Sequence, residues 1–582
     1  MNSYKTMLGI SAAFLAFIAC DNPLTPEEVT RVNIDQIVST PEYAEGLLSF
    51  GYMQIPAWNY IFDETGTDDA VSNNPADNYR KMATGGWTSI SNSEDAWFAC
   101  FRGIMNINRF LEVVNEVPWH PSDPALHAAL INRLSGEAYG VRGALKYYLI
   151  RNHSGFGADG NLLGIPEFDT FIGSLDEFSV PREQFAESIR SAVKDLDQAI
   201  QMLPDDYGNV SEVPAKFSGI DLTDYNIVYG AEKRQRMSAR VAMAYKARLA
   251  LLAASPAFNQ GNDATLWETA ANANGDILNG IGGIAGLDPK GHQFWLKAQV
   301  DAANLGSNDQ TDIPEMLWRR SLLDINTWEA DNFPPTQFGR GRINPTQNLV
   351  DAFPMKNGFP ISAEESGYDK TNPYSNRDPR LALAVIFNGS SWKSSIITTL
   401  NGTDDDSVGN SDFSTRTGYY LKKLLREDVN MTTGKTTTQY HIISIVRYTE
   451  IFLNYAEAAN EAWGPDGAGS YGFSARDVIA AIRSRAGITQ PDAFLATIDS
   501  KDKMRDLIRN ERRLELCFEG FRFWDLRRWN LKLDEPAQGA ALENGVYSSV
   551  DVEDRSYDDY MHYGPIPYSE VLKFNYVQNQ GW

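Results

Sequence analysis

The chain has 582 residues, with 52 Lys plus Arg against 76 Asp plus Glu, giving a formal net charge of −24. A composition 43% hydrophobic and 12% aromatic is ample for a packed core and excludes wholesale disorder. The acidity excludes nucleic acid as a general partner, because a polyanion repels an acidic surface, and disfavours polybasic adhesion to anionic lipid. Three cysteines (Cys20, Cys100, Cys517) cannot staple a chain of this length, and six histidines leave little room for a histidine-based metal centre.

The chain opens like an export signal. Lys5 supplies the positive start, and residues 7–19 are almost wholly apolar and uncharged. That run is shorter than the roughly 20 apolar residues a bilayer span needs. Residues 1–19 therefore read as a signal peptide. The run stops at Phe17-Ile18-Ala19-Cys20, which resembles a bacterial lipobox, so Cys20 is the expected lipidation site. The competing reading is an ordinary signal peptide with an incidental cysteine. Residues 20–40 begin with the polar, proline-broken Asp21-Asn22-Pro23-Leu24-Thr25-Pro26 and read as a tether between lipid and folded body.

From 41 to 280 the pattern is helical. Residues 93–117 and 126–150 carry apolar residues at spacings of three and four. In 182–203, Phe185, Ile189, Val193, Leu196, Ile200 and Leu203 make one stripe, which Pro204 ends. Residues 238–254 are alanine-rich, so neighbouring helices can come close. Paired amphipathic helices joined by loops are the unit of tetratricopeptide-like arrays. No fixed repeat period is visible, so any array is degenerate.

Residues 281–440 differ. Helical periodicity fades, Gly, Asn, Asp, Ser, Thr and Pro rise, and short strands are expected near Tyr419-Tyr420-Leu421. Insertions of this length in compact proteins are usually functional, so this one is expected to contribute to a ligand site. Helical periodicity returns in 441–582, over 445–463, 474–485 and 501–519. The predicted fold class is therefore all-α dominated: tetratricopeptide-like helical hairpins with a large irregular insertion and few short strands.

Familiar catalytic signatures are missing: there is no H-E-x-x-H, G-x-S-x-G or Walker loop. Gly467-Ala468-Gly469-Ser470-Tyr471-Gly472 fits G-x-G-x-x-G, but it follows a helical segment and reads as an interhelical loop. Asp404-Asp405-Asp406 offers hard oxygens that suit calcium, yet an acidic run on a glycine-rich loop is more often a solvated turn. No cofactor and no metal site are expected, and the chain does not read as an enzyme. The densest segment, 505–529, interleaves seven arginines and five acids with aromatics. It reads as an arginine–carboxylate lattice that locks helices together.

That segment also carries a resemblance. Arg509-Asn510-Glu511-Arg512-Arg513-Leu514-Glu515-Leu516, with Glu519-Gly520 and Phe523-Trp524-Asp525-Leu526-Arg527-Arg528-Trp529, resembles the C-terminal signature of SusD/RagB outer-membrane lipoproteins. Arg447-Tyr448-Thr449-Glu450, Arg483-Ser484-Arg485-Ala486-Gly487, Asn376-Arg377-Asp378-Pro379-Arg380 and the ending Gln578-Asn579-Gln580-Gly581-Trp582 agree with it in order. The resemblance implies a helical fold with four tetratricopeptide-like hairpins and loop-built glycan sites. It also implies a lipoprotein on the cell surface of Bacteroidetes that captures oligosaccharide for a SusC-like TonB-dependent transporter. Some relatives bind peptides instead. A secreted glycoside hydrolase and a helical scaffold for protein partners are the other classes considered.

A sugar site needs a flat aromatic ring beside bidentate polar groups. Trp87, in the glycine-rich Ala83-Thr84-Gly85-Gly86-Trp87, is the leading expectation, with stapling of the following helix as its structural competitor. Asp68 and Asp69 are expected alongside, and Trp58, Trp318 and Trp328 are further loop aromatics. Arg377 is read as a possible hydroxyl donor or as half of a structural ion pair. Trp97 and Trp267 are expected in the core.

Overall fold

The computed structural model describes residues 34–56, 62–303, 313–320 and 322–582. The signal peptide, Cys20, most of the tether and Trp58 lie outside the described residues. Helix dominates, at 46%.

The scaffold is a succession of helices. They are α1 (Pro41–Met53), α2 (Trp97–Val113), α3 (Pro124–His153), α4 (Phe185–Met202), α5 (Ala239–Ala254), α6 (Ala264–Asn279), α7 (Tyr448–Trp463), α8 (Ala475–Ala486) and α9 (Lys501–Glu515). From α1 to α7 each helix packs on the next, and α7 packs on both α8 and α9. That is the stacking of helical hairpins in a tetratricopeptide-like array. The step from α6 to α7 is the informative one. These two helices are close neighbours although the whole insertion separates them in sequence, so the insertion leaves and rejoins the scaffold at one place.

Local chemistry sets the helix ends. Asp123 accepts from the backbone N–H groups of Ala125 and Leu126, and Pro124 follows at the first helical position. Ser238 caps α5 and Ser474 forms a capping box with Asp477. Close approach of α3 to its neighbours depends on missing side chains. A Cβ at Gly140 would lie 2.4 Å from Met237 Cγ, and one at Gly143 would lie 2.7 Å from Leu196 Cγ.

The expected helix over 445–463 starts later, at Tyr448. Residues Ser444–Arg447 instead pair as a strand with Met316–Arg319. The helix expected over 501–519 stops at Glu515, because Phe518 and Gly520 take φ of +62° and +78°. A short helix, α10 (Arg522–Arg528), follows. The Gly467–Gly472 motif joins α7 to α8 as an interhelical loop, as expected.

The insertion is irregular and carries short ribbons of two to four residues. Tyr420–Leu421 pairs with Val385–Ile386, which meets the expectation of a strand there. Ile343–Pro345 pairs with Ala70–Ser72, so an N-terminal segment is stitched into the same region. In the Asp404–Asp406 run, Asp404 and Asp405 are exposed, and Asp406 is buried and accepts from the backbone and hydroxyl of Thr336. Among the described residues no group of three His, Cys, Asp or Glu is arranged to hold a metal ion. A hairpin that the periodicity does not reveal, β1 (Ala537–Glu543) and β2 (Val546–Glu553), turns at Asn544-Gly545. Both turn residues take positive φ (+51° and +79°).

Buried charge ties these parts together. Glu511 and Glu515, one turn apart on α9, face the same way. Glu511 accepts from Arg380 (2.8 Å) and Arg483 (2.7 Å). Glu515 accepts from Arg485 (2.7 Å) and Arg380 (3.2 Å). Arg447, at the start of α7, bonds to Glu315 (2.7 Å) and Glu519 (2.8 Å). Burial pushes the Glu515 carboxyl up, but Arg485, Arg447 and Arg380 outweigh it and hold the group well below the ordinary carboxylate range. The lattice expected over 505–529 is therefore present and reaches beyond it. Arg512 meets Asp525 (2.7 Å), and Arg528 meets Glu457 (2.6 Å).

Removing one member leaves its partners charged and buried, which costs about 3–5 kcal/mol. Arg447→Ala should lower the unfolding free energy by that amount, read by denaturant titration. A change below about 1 kcal/mol would show that Glu315 and Glu519 find other partners.

Candidate functional site

The expected aromatic platform at Trp87 is corrected by the structure. Its ring is 2% exposed and sits edge-on to Phe523 (5.5 Å), Tyr557 (6.0 Å) and Trp582 (4.8 Å). The Arg527 guanidinium lies 4.8 Å from the ring centroid, and the indole N–H donates to Asn92 Oδ1 (2.8 Å). The ring is surrounded, so it cannot present a face to a sugar. The glycines before it make a sharp turn, with Gly85 at φ +97°, that drives the ring inward.

Asp68 and Asp69 are also spoken for. Arg522 and Arg513 bond Asp68 at 2.7 Å and 3.0 Å, and Arg513 Nε reaches Asp69 at 2.7 Å. Burial raises the Asp68 carboxyl, but the two arginines outweigh it and hold it below the ordinary range. Trp318 is corrected too: it is 1% exposed, packs on Tyr52 and Tyr245, and donates to Gln235 O (2.8 Å). Trp328 is half-buried, edge-on to Phe62 (5.9 Å) and His441 (4.9 Å). Trp97 and Trp267 are in the core, as expected. Among the described residues Arg377 makes no ion pair. It is buried and donates to the carbonyls of Pro373 (2.9 Å), Phe353 (2.7 Å) and Val350. Both expectations for it are thereby corrected: it braces backbone.

What it braces is a groove. Arg377 lies 5.7 Å from the centroid of the Tyr368 ring, and Tyr368 lines a cavity of about 340 Å³ with Tyr374, Tyr419, Tyr547, Gln347 and Asp351. Lys370, Ser548 and Ser549 are at its exposed rim. Four chain segments build it, the segment before Tyr420 giving Tyr419 alone. The short helix Gln347–Ala352 supplies the floor and residues 361–374 one wall; the β1–β2 hairpin supplies the other. The hairpin is fixed to the opposite wall by Tyr547 N donating to Lys370 O (3.0 Å) and by Tyr547 Oη accepting from Asn388 Nδ2 (2.9 Å). Tyr374 stacks on Phe387 (4.2 Å, 20°) and meets Tyr547 edge-on (5.4 Å). Such packing fixes ring orientation before any ligand arrives.

The polar floor has a direction. Gln347 Nε2 donates to Asp351 Oδ1 (2.6 Å), so its Oε1 points the other way and accepts from Tyr419 Oη (2.6 Å). Tyr419 has then spent its only hydrogen, and Tyr374 donates to it (3.2 Å). The chain runs Tyr374 to Tyr419 to Gln347 to Asp351. Among the described residues no cation lies within ion-pair distance of Asp351. Burial raises its carboxyl above the ordinary value, against the lowering effect of the Gln347 bond.

Periodicity misses these tyrosines because Tyr368, Tyr374 and Tyr419 lie in turns and loops, and Tyr547 alone is on a strand of the β1–β2 hairpin. One signal was available: Tyr368 and Tyr374 flank a turn-rich stretch immediately before Arg377-Asp378-Pro379-Arg380.

A second cavity, about 330 Å³, lies between the hairpins and the C-terminal helices and is lined by Asp63, Glu94, Arg151, Arg447 and Arg527 among others. Tyr79, Phe258 and Phe521 also line it, among the charges of a buried junction. Asp63 and Glu64, beside it, are buried carboxyls, and Glu64 accepts from Gly520 N (3.1 Å).

A helical-hairpin scaffold carrying a loop-built, tyrosine-lined groove is thus the class of protein that the fold defines. Comparison with known proteins agrees. The sequence pattern of the SusD family matches residues 314–582, and that of a SusD-like family described as "Starch-binding associating with outer membrane" matches residues 48–218. The chain belongs to the SusD/RagB family. Over 88 residues it is 39% identical to a SusD-like protein of Formosa agariphila, a match that spans 15% of this chain and 17% of that relative. Among solved structures, a SusD-like protein from Bacteroides fragilis superposes with a TM-score of 0.71 at 22% identity, covering 94% of this chain and 99% of its own. A SusD-like carbohydrate binding protein from the same species gives 0.68 at 19% identity, over 92% and 99%. Surface glycan-binding protein A from Bacteroides fluxus gives 0.58 at 18%, over 94% and 100%. At these identities the structures speak for the fold.

The Glu64 carboxyl is raised to about 7, chiefly by burial. Native Glu64 then keeps a proton that the unfolded chain releases above about pH 4.5, so stability contributed at acid pH is lost as pH rises toward 7, by at most about 1.4 kcal/mol per pH unit. Glu64→Gln, which keeps the acceptor for Gly520 N, should flatten the fall in melting temperature between pH 5 and pH 7.5. Equal slopes for variant and wild type would mean that Glu64 is ionised when folded.

Proposed function

We propose that this protein is a cell-surface glycan-binding lipoprotein, which captures oligo- or polysaccharide in the tyrosine-lined groove and passes it to a SusC-like TonB-dependent transporter. The observation that carries the reading is the groove itself: the half-buried rings of Tyr368, Tyr374 and Tyr547 over a buried Tyr419, beside a carboxylate and hydroxyls. Sugar rings present C–H groups that pack on aromatic faces, while their hydroxyls seek directional polar partners. Family membership and the names of the related structures, which include carbohydrate-binding and glycan-binding proteins, support the same reading. Binding without turnover is the expected chemistry. The irregular insertion supplies most of the groove, and the helical array serves as its mount.

Tyr547 is the residue to test, because it meets Tyr374 edge-on across the groove while its own backbone belongs to the hairpin. Loss of one central aromatic typically costs about 2 kcal/mol, roughly thirtyfold in affinity. Tyr547→Ala should show that loss by calorimetry against a binding oligosaccharide, with the fold intact by circular dichroism and no reducing ends released by the wild type. Affinity within about twofold of wild type would remove the groove from the binding site. Peptide binding in the same titration, with no sugar binding, would favour the peptide-capturing alternative.

Anchoring is proposed through Cys20, from the apolar run that ends at Ala19. Cys20→Ala should move the protein from the membrane to the soluble fraction and abolish incorporation of labelled palmitate. Unchanged membrane sedimentation with retained label would exclude that anchor.

A further inference from the structure

We infer that the groove selects uncharged sugar units over those bearing carboxylate or sulfate, and that Asp351 is the residue that sets this preference. The inference rests on the reading of the groove as a glycan site and deepens it.

Gln347 donates to Asp351, Tyr419 donates to Gln347, and Tyr374 donates to Tyr419. Each of these donated hydrogens points along the chain, toward Asp351. What the chain itself leaves for a ligand is acceptor capacity, lone pairs on Tyr374 Oη and the second carboxylate oxygen of Asp351, while the hydroxyl hydrogens of Tyr368 and Tyr547 stand on the walls. A sugar hydroxyl can donate to such a floor. A sugar carboxylate or sulfate cannot, since it has only acceptors to offer. There it would meet the like charge of Asp351, a repulsion that added salt reduces.

The nearby cations do not reverse this. Arg377 is the guanidinium beneath the groove, but its Nη atoms are engaged by three backbone carbonyls and it is 5% exposed. It cannot turn toward a ligand without freeing buried carbonyls. Arg513 is held by Asp68 and Asp69. Lys370 is at the exposed rim. A hydrated ammonium on a flexible stem in solvent contributes little and is screened. The charge of the whole chain, −24, adds a repulsive field for any polyanionic glycan.

The test is a calorimetric panel on the mature, non-lipidated chain. It uses neutral oligosaccharides (gluco-, manno- and xylo-oligosaccharides) beside oligogalacturonates and a sulfated galactan fragment of matched length. At least one neutral series should bind about tenfold or more tighter than every acidic one. Asp351→Asn keeps the acceptor for Gln347 and removes the charge. It should narrow the gap to within about threefold, chiefly by strengthening acidic binding, because the amide puts an N–H where the second carboxylate oxygen stood. Acidic ligands that match or exceed neutral ones on the wild type overturn the inference while leaving the glycan reading in place. A gap unchanged in a folded Asp351→Asn variant overturns the role of Asp351. Should that variant not fold, raising salt from 50 mM to 500 mM on the wild type replaces it: acidic binding should strengthen relative to neutral, and weakening would overturn the charge argument. No binding by any sugar overturns the glycan reading and the inference with it.

Discussion

The structure depends on one arrangement of charge: two carboxylates a helical turn apart on α9, met by arginines from three other parts of the chain. Arg380 comes from the Arg-Asp-Pro-Arg turn, Arg483 and Arg485 from α8, and Arg447 from the junction of strand and α7. Each guanidinium is planar and forked, so it can bridge two carboxylates and fix their relative orientation in a way a lysine could not. Buried ion pairs are weak evidence for net stability. Their effect here is geometric. The insertion contributes Arg380 and the scaffold contributes the rest, so a single lattice registers an irregular region against a regular one.

That division of labour follows from where the insertion leaves the helices. Because α6 and α7 are neighbours, the helical stack continues as if the 281–440 stretch were absent. The groove is then free to be built of turns, short ribbons and a late hairpin, none of which must obey helical packing. Tyr368 and Tyr547 come from segments far apart in sequence, yet the Tyr547–Lys370 backbone bond sets their walls in register. Rigid support beneath mobile-looking sequence is how loop-built sites keep their shape.

The helices were legible in the sequence because period and capping agree. The stripe from Phe185 to Leu203, the serine before α5 and the Ser474 box each say the same thing at two levels. Trp87 shows where such reading fails. A glycine-rich turn exposes the backbone, but whether it aims a ring outward or inward depends on partners such as Phe523 and Trp582, more than 400 residues away in sequence. Asp68 and Asp69 fail for the same reason, since Arg513 and Arg522 are equally remote. Arg377 was legible as part of a motif and illegible as a brace for carbonyls. The hairpin had a local signal in Asn544-Gly545, but its flanks alternate too weakly to stand out. Tyrosines gathered from three segments leave no periodic trace at all.

The neighbouring of α6 and α7 also bears on how the chain reaches this state. The first three hairpins join elements adjacent in sequence, so each can close at small entropic cost soon after its helices exist. The pairing of α7 with α6 closes a loop from Asn279 to Tyr448, and the Ala70–Ile343 ribbon closes a longer one. Long closures cost only slowly more with length, but they must be met before their contacts repay them. An emerging chain can therefore assemble an N-terminal solenoid early. It then holds the exposed flank of α6 open, an apolar edge awaiting its partner, until the fourth hairpin arrives.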